Sequence, residues 1–335
     1  MKDVAVRAQV SVQTVSNVIN GRAGSTGAET RDRVERAMRE IGYHRNMSAR
    51  GLRSARTDTL ALLLRDESES YLADPLTNLI TAGIGDVLRE AQRGLLIQTV
   101  KTGAPREALL APLLESRVDG ALVLLSGDPE LRHWYVDRLG EIGTPFVVFD
   151  EVLADPGILS VRAADRDAGR MLTELLLERG HRRIAFIGAS NPWAVVEQRH
   201  LGYRDALRGV GLEPEDALQR YGAGWQAEGG SDMAADLLTA ADPPDAIVCG
   251  SDVLAVGAVQ EVRRRGLSVP GDVAVAGFDD FAFSSYVEPP LTTVAIPGYQ
   301  MGQVAAEMVL AEIDGTGPRA RQVVLPVELR VRQSA

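Results

Sequence analysis

Ser11, Gln13, Thr14, Ser16, Asn17 and Asn20 are short polar residues without charge, set among Val10, Val15, Val18 and Ile19 at helical spacing. A merely solvated helix face usually carries Glu and Lys. A face of hydroxyls and amides instead offers the donors and acceptors that base edges and phosphates present in a major groove. The competing reading of this stretch is a small helical hairpin that caps a larger domain. A second set of residues could hold a small molecule. Asp150, Ser251 and Asp279 each follow a short apolar run (FVVF, AIVCG and VAVAGF) where a strand would end, with Asp252 beside Ser251. Arg199 and Trp225 are expected on connections at the same face. Any one carboxylate there could simply cap a helix. As a set with a guanidinium and an indole they suit a carbohydrate, held by bidentate hydrogen bonds and stacking, or a nucleobase.

The elements that must position the first set are short helices. Residues 3–20 read as two of them around a tight turn, with Val4, Ala5 and Ala8 as the first apolar face and Val15, Val18 and Ile19 as the second. A Gly- and Ser-rich loop follows. The stretch TRDRVERAMREIGYHRN then predicts a third helix, since Val34, Ala37, Met38 and Ile41 form one stripe and Gly42 suits its C-cap. Three helices in so few residues bury only a marginal core. Next comes NMSARGLRSART, with Arg50, Arg53, Arg56 and two large apolar residues, Met47 and Leu52. It reads as a plain basic linker, or as a short helix that forms only on DNA and wedges Leu52 between base pairs from the minor groove. Gly51 weakens such a helix by about 1 kcal/mol, so the segment is expected to be disordered without DNA.

Charge is divided along the chain. Residues 1–57 hold 11 Lys and Arg against 5 Asp and Glu, a net +6; the remainder holds 25 against 41, a net −16. A basic head on an acidic body indicates a local polyanionic partner. No apolar run is long enough to span a bilayer, and residues 1–20 do not read as a signal peptide, so a cytoplasmic protein with no membrane partner is expected. Cys249 is the single cysteine, which excludes an internal disulfide. His44, His133, His181 and His200 are scattered without metal-ligand spacing, and no Ser/His/Asp or Cys/His motif is present. GAGWQA (222–227) has the form GxGxxA, but it follows LQRY rather than a buried strand and lacks an acidic partner. No enzyme activity, cofactor or metal is expected.

From residue 58 onward, short apolar runs alternate with helical stretches. TLALLL (59–64), LLIQTV (95–100), GALVLL (120–125) and FVVF (146–149) form one series. ILSV (158–161), RIAFIG (183–188), AIVCG (246–250) and VAVAGF (273–278) form another. Continuously apolar strands between helices mean parallel sheets covered on both faces. The fold class is therefore α/β: a three-helix head followed by two doubly wound lobes. Ligands of such sheets sit beyond the strand C-terminal ends, here in a cleft between lobes.

The order and spacing of DVAVRAQVSVQTVSNVIN, TRDRVERAMREIGYHRN and SARGLR resemble the lactose-repressor (LacI/GalR) family of bacterial transcription regulators. ERGHRRIAFIG, RHLGYRDAL, SDVLAVGAV, VAVAGFDD and PPLTTVAIP carry the resemblance to the C-terminus. It implies a helix-turn-helix head at 1–45, a hinge helix or linker at 46–57, and a periplasmic-binding-protein-like effector core at 58–335. Lobe 1 would span about 58–160 and 291–320, and lobe 2 about 161–290 and 321–335. It further implies a homodimer repressing transcription from a near-palindromic double-stranded DNA operator under control of a small-molecule effector, most simply a sugar. Val12, Gln13 and Asn17 match its base-reading positions; Ser11, Thr14, Ser16 and Asn20 match backbone contacts, Arg50 lies in the DNA-binding hinge, and Leu52 matches the wedge. Arg199, Trp225, Ser251 and Asp279 match effector contacts, and Asp150 does so more loosely.

The chain departs from the family at several points. Gln9 stands where glycine is usual in the turn, Asn17 where arginine is frequent, and Arg45 where a proline is usual. The Ser or Thr cap before the first helix is absent, as a start placed downstream of the natural one would leave it. RVRQSA after the last strand leaves no room for a C-terminal heptad repeat, so a dimer and not a tetramer is expected. Arg199→Ala is expected to abolish ligand response and leave folding intact.

Overall fold

The computed structural model describes residues 1–19, 26–42, 56–65, 73–100, 103–189, 193–222 and 224–335. The chain divides into two compact units, Met1–Thr57 and Asp58–Ala335.

In the first unit, helices α1 (Lys2–Ala8), α2 (Val12–Ile19) and α3 (Ala28–Glu40) close around Val4, Ala5, Ala8, Val15, Val34 and Ala37. The turn between α1 and α2 is made by Gln9 in the left-handed region, at φ 52° and ψ 49°. A side chain there costs about 1 kcal/mol, which the glycine usual at this position would avoid. Arg7 on α1 pairs with Glu40 at the end of α3 at 2.7 Å.

The second unit holds two six-stranded sheets. The first has the order β11-β5-β4-β3-β1-β2, all parallel: β1 (Thr59–Arg65), β2 (Gly94–Thr99), β3 (Gly120–Leu125), β4 (Phe146–Phe149), β5 (Leu159–Ala163) and β11 (Gln322–Leu325). The second has the order β12-β10-β9-β8-β6-β7: β6 (Ile184–Ala189), β7 (Gln219–Gly222), β8 (Ala246–Cys249), β9 (Ala274–Asp279), β10 (Thr292–Ala295) and, antiparallel at the edge, β12 (Glu328–Arg330). Strand β1 shows why the runs are continuous: Leu60, Leu62 and Leu64 face one core, while Ala61 and Leu63 face the other. Side chains alternate across a strand, so a sheet covered on both faces needs an apolar residue at every position.

Helices α4 (Pro75–Glu90), α5 (Ala111–Leu114), α6 (Pro129–Ile142) and α11 (Gly298–Ile313) cover the first sheet. Helices α7 (Asp165–Glu178), α8 (Ala194–Gly209), α9 (Ala227–Leu238) and α10 (Asp252–Arg264) cover the second. Three helix pairs cross backbone to backbone on glycines. A Cβ at Gly83 or Gly302 would overlap a carbonyl across the α4–α11 crossing, at Gly169 or Gly202 across α7–α8, and at Gly230 or Gly257 across α9–α10.

One expectation needs correction. The sequence pattern places ILSV in the second series, but β5 pairs with β4 and β11 in the first sheet. Its apolar run reads the same in either sheet; pairing with β4 and β11 decides the matter, and the chain reaches the second sheet only with α7. The chain passes between the two sheets three times, after β5, after β10 and after β11. The apolar helix α11 and strands β7, β10, β11 and β12 are additions to the two series of runs.

Candidate functional site

In the head, Ser11 opens α2. Its Oγ accepts from Thr14 N at 3.0 Å and lies 2.8 Å from Thr14 Oγ1, satisfying an otherwise orphaned donor of the first turn. Val12 and Gln13 are exposed, and Asn17 is half-buried. Gln13 Nε2 donates to Asn17 Oδ1 at 3.0 Å, one helical turn away, so the two amides hold each other on one face. Ser16 is the exception, lying buried beside Val15. Asn20, Arg50 and Leu52, and with the last two most of the expected hinge, lie outside the described residues.

In the second unit a cavity of about 260 Å³ opens between the lobes. Asp150, Arg199, Trp225, Ser251 and Asp279 all line it, although up to 129 residues separate them in the chain. Lobe 1 contributes Asp150 after β4, Leu124 on β3, and the start of α4. Lobe 2 contributes the other four with Trp193, Gln226 and Phe281. The strand ends therefore face each other across the cleft, as parallel sheets with this winding require.

Arg199 is not on a connection. It lies within α8, which begins at Ala194 with Trp193 at the N-cap. Side chains on a helix tilt toward its N-terminus, so the guanidinium reaches back to the sheet edge. It is 1% exposed and fully engaged on one side. Nε donates to Asp165 Oδ1 at 2.8 Å, Nη1 to the Gly250 carbonyl at 2.8 Å and Nη2 to Asp279 Oδ1 at 3.0 Å. Its Cζ stands 4.7 Å over the Phe278 ring. Burial works against its charge, but Asp279 and Asp165 outweigh that, so its pKa lies above the ordinary value.

The carboxylates respond in the opposite sense. Burial, then Asp165, pushes Asp150 well up. Burial raises Asp165 too, against Arg199. Burial lifts Asp279 to about 6, with Arg199 holding it down and Asp74 and Asp165 adding repulsion. Asp150 and Asp279 also have left-handed backbones, at φ 64° and 103°. Strain of that kind collects where a structure fixes side chains for a ligand. Ser251 caps α10 by accepting from Leu254 N at 3.3 Å.

Asp252 belongs elsewhere. It is fully buried and accepts from Ser284 Oγ, Thr293 Oγ1 and Phe281 N, which orders the loop behind the cleft. LQRY does include a strand, but β7 is the half-exposed edge of its sheet, and GAGWQA after it supplies Trp225 and Gln226 to the cavity.

Asp165, Trp193 and Arg132 are additions to the sequence-derived set. Asp165 could have been noticed as an acidic residue opening a helix after a strand. Trp193 packs against the cores of both lobes, and its buried Nε1–H has no partner among the described residues. Arg132 on α6 is 2% exposed; it pairs with Glu151 at 2.6 Å, donates to the Gly127 carbonyl, and reaches Glu197 on α8 of the other lobe at 3.3 Å. No local signal marks that bridge.

Residues 1–46 match the family described as bacterial regulatory proteins, lacI family, and residues 173–335 match the periplasmic binding protein-like domain. The HTH-type transcriptional regulator CelR of Thermobifida fusca is 35% identical over 334 residues, covering 99% of this chain and 96% of that protein. The structure of a CelR–cellobiose complex superposes with a TM-score of 0.76 at 34% identity, covering 100% of this chain and 99% of that one. The lac repressor dimer bound to operator and the anti-inducer ONPF superposes at 0.86 and 28% identity, covering 99% and 97%.

Proposed function

The chain belongs to the lacI family of bacterial regulatory proteins, and from that premise we propose that it is a cytoplasmic homodimeric repressor whose operator affinity is set by a sugar bound between its lobes. It is a ligand-responsive, DNA-binding transcriptional regulator and not an enzyme. In this reading residues 1–45 form the DNA-binding head, 46–57 the hinge and 58–335 the effector core. Val12, Gln13 and Asn17 read base edges. Ser11, Thr14, Ser16, Asn20 and Arg50 hold the DNA backbone, and Leu52 wedges the minor groove. Two heads in a dimer match two half-sites of a near-palindromic operator.

The observation that carries the effector half is the convergence of five distant polar and aromatic residues on one inter-lobe cavity. Arg199 and Asp279 hold hydroxyls, Asp150 closes from the other lobe, Ser251 borders the site, and Trp225 lies against the sugar's apolar face. Cellobiose is the ligand of the solved relative CelR, which makes saccharides the first class to try. A ligand shifts operator binding only by its differential affinity for two lobe arrangements, typically a 5–150-fold effect.

The test is selection from a randomised DNA library with the full chain, with and without cellobiose and other neutral saccharides. The expected result is an enriched inverted repeat whose affinity changes with one saccharide. Enrichment of no repeat, or an affinity indifferent to every saccharide and altered by a purine nucleoside, refutes the corresponding half.

A further inference from the structure

Resting on the saccharide reading, we propose that the cleft accepts uncharged, hydroxyl-rich sugars and rejects those bearing a phosphate or a carboxylate. The ionisable side chains lining the cavity among the described residues are Asp74, Asp150, Asp279 and Arg199, three acids against one base. Asp165 stands directly behind Arg199 at 2.8 Å and shares its charge with Asp279. The other buried cation among the described residues, Arg132, is held by Glu151 and Glu197. Neither guanidinium is available as an anion's counterion.

Helix N-termini could attract an anion instead, and four of them open near the cavity. That of α4 is already occupied, because Asp74 Oδ2 accepts from Thr77 N and Thr77 Oγ1, both at 2.7 Å. Ser251 occupies that of α10. Those of α8 and α9 have no side-chain cap. Each is worth about half a positive charge, less than the carboxylates facing them.

The hydrogen-bonding inventory agrees. A guanidinium carries five N–H groups, and Arg199 commits three, leaving two. Trp193 adds an unpartnered indole N–H. The carboxyl groups of Asp150 and Asp279 supply acceptors. A hydroxyl both donates and accepts and can use this mixture. A phosphate or carboxylate only accepts, and finds both buried guanidinium groups already paired with carboxylates.

The experiment titrates the full chain with matched pairs: glucose against glucose 6-phosphate and glucuronate, ribose against ribose 5-phosphate, cellobiose against cellobionate. Trp193 and Trp225 at the cavity supply a fluorescence readout, checked by thermal shift. The proposal expects a neutral member to bind and its charged counterpart to bind about a hundredfold more weakly or worse. A charged member that binds as tightly as its neutral partner overturns the proposal and leaves the saccharide reading standing. If no saccharide of either kind binds, the saccharide reading itself falls and takes the proposal with it. In Asp279→Asn the neutral-to-charged affinity ratio should shrink about tenfold, and an unchanged ratio overturns the electrostatic origin. Should that variant not fold, the titrations of the unmodified protein still decide.

Discussion

The two surfaces proposed for recognition are built by opposite means. On α2 the groups proposed to read bases are neutral, project from eight consecutive residues, and rest on a small core of Val and Ala. In the cleft three of the five groups are ionisable, all but Trp225 are buried, and they are brought together from both lobes. A DNA-reading face must stay open and swap water for base edges, so its side chains contribute little to stability. A ligand cleft confines like charges in a low dielectric, where each group's state depends on its neighbours. The head can thus change specificity cheaply, and the cleft cannot.

Arg199→Ala should be the most damaging substitution. The expectation that folding survives it intact is revised by the geometry, since Asp165 and Asp279 would be left facing each other with no cation. The expected cost is about 3–5 kcal/mol in unfolding experiments, with loss of ligand response. A variant as stable as the parent would break the contrast between the two surfaces.

The pH dependence comes next. Asp279 titrates at about 6 in the folded cleft, facing Arg199, Asp165, Asp74, Asp150 and Asp252, against about 3.9 in an unfolded chain. Between those values the native state holds the extra proton. Its contribution to stability is therefore present below about pH 4 and lost as pH rises through 6, on the order of 2–3 kcal/mol. Asp252, raised by burial and by Asp279 to about 7, acts in the same sense. Unfolding curves of the core from pH 4 to 8 should flatten in Asp279→Asn; equal slopes would remove Asp279 from the account.

Gly169→Ala would drive a methyl into the Arg199 carbonyl across the α7–α8 crossing. Overpacking of this kind costs about 1–3 kcal/mol, and it should also weaken ligand binding, because Asp165 and Arg199 ride on the two displaced helices. Unaltered affinity would mean that the crossing does not set the cleft.

Asn17→Ala should show the converse. Preference at one position per half-site should relax by about 1–3 kcal/mol, while thermal stability moves by no more than about 0.5 kcal/mol. A stability loss without a change in base preference would give Asn17 a purely structural task. The smallest effect is expected from Glu197→Gln, which removes one exposed arm of the Arg132 bridge between lobes. Such pairs contribute about 0.2–1 kcal/mol, visible as a few-fold change in ligand affinity at low salt that fades at high salt.

Much of this was legible in the chain itself. Periodicity alone separated the head from the core, because helical stripes such as Val34, Ala37 and Met38 and doubly buried runs such as 59–64 are local consequences of covalent geometry. The strained Gln9 turn was foreseeable only through the family resemblance, and the polar face of α2 from eight adjacent residues. The strand-end residues Asp150, Ser251 and Asp279 were foreseeable because a parallel sheet must present its C-terminal edge to one side.

What lay outside the sequence's reach was everything that depends on two distant segments meeting. Which sheet claims β5 is a matter of pairing, which an apolar run does not encode. That Arg199 spends its charge on Asp165, that Arg132 ties α6 to α8, and that Gly169 lets two helix backbones touch are facts about partners 30 to 65 residues apart. The residue types of the cleft were written in the chain. Their charge state, and with it the kind of ligand they admit, was decided by burial beside one another, because electrostatic free energy belongs to the arrangement of charges and their desolvation and not to any residue alone.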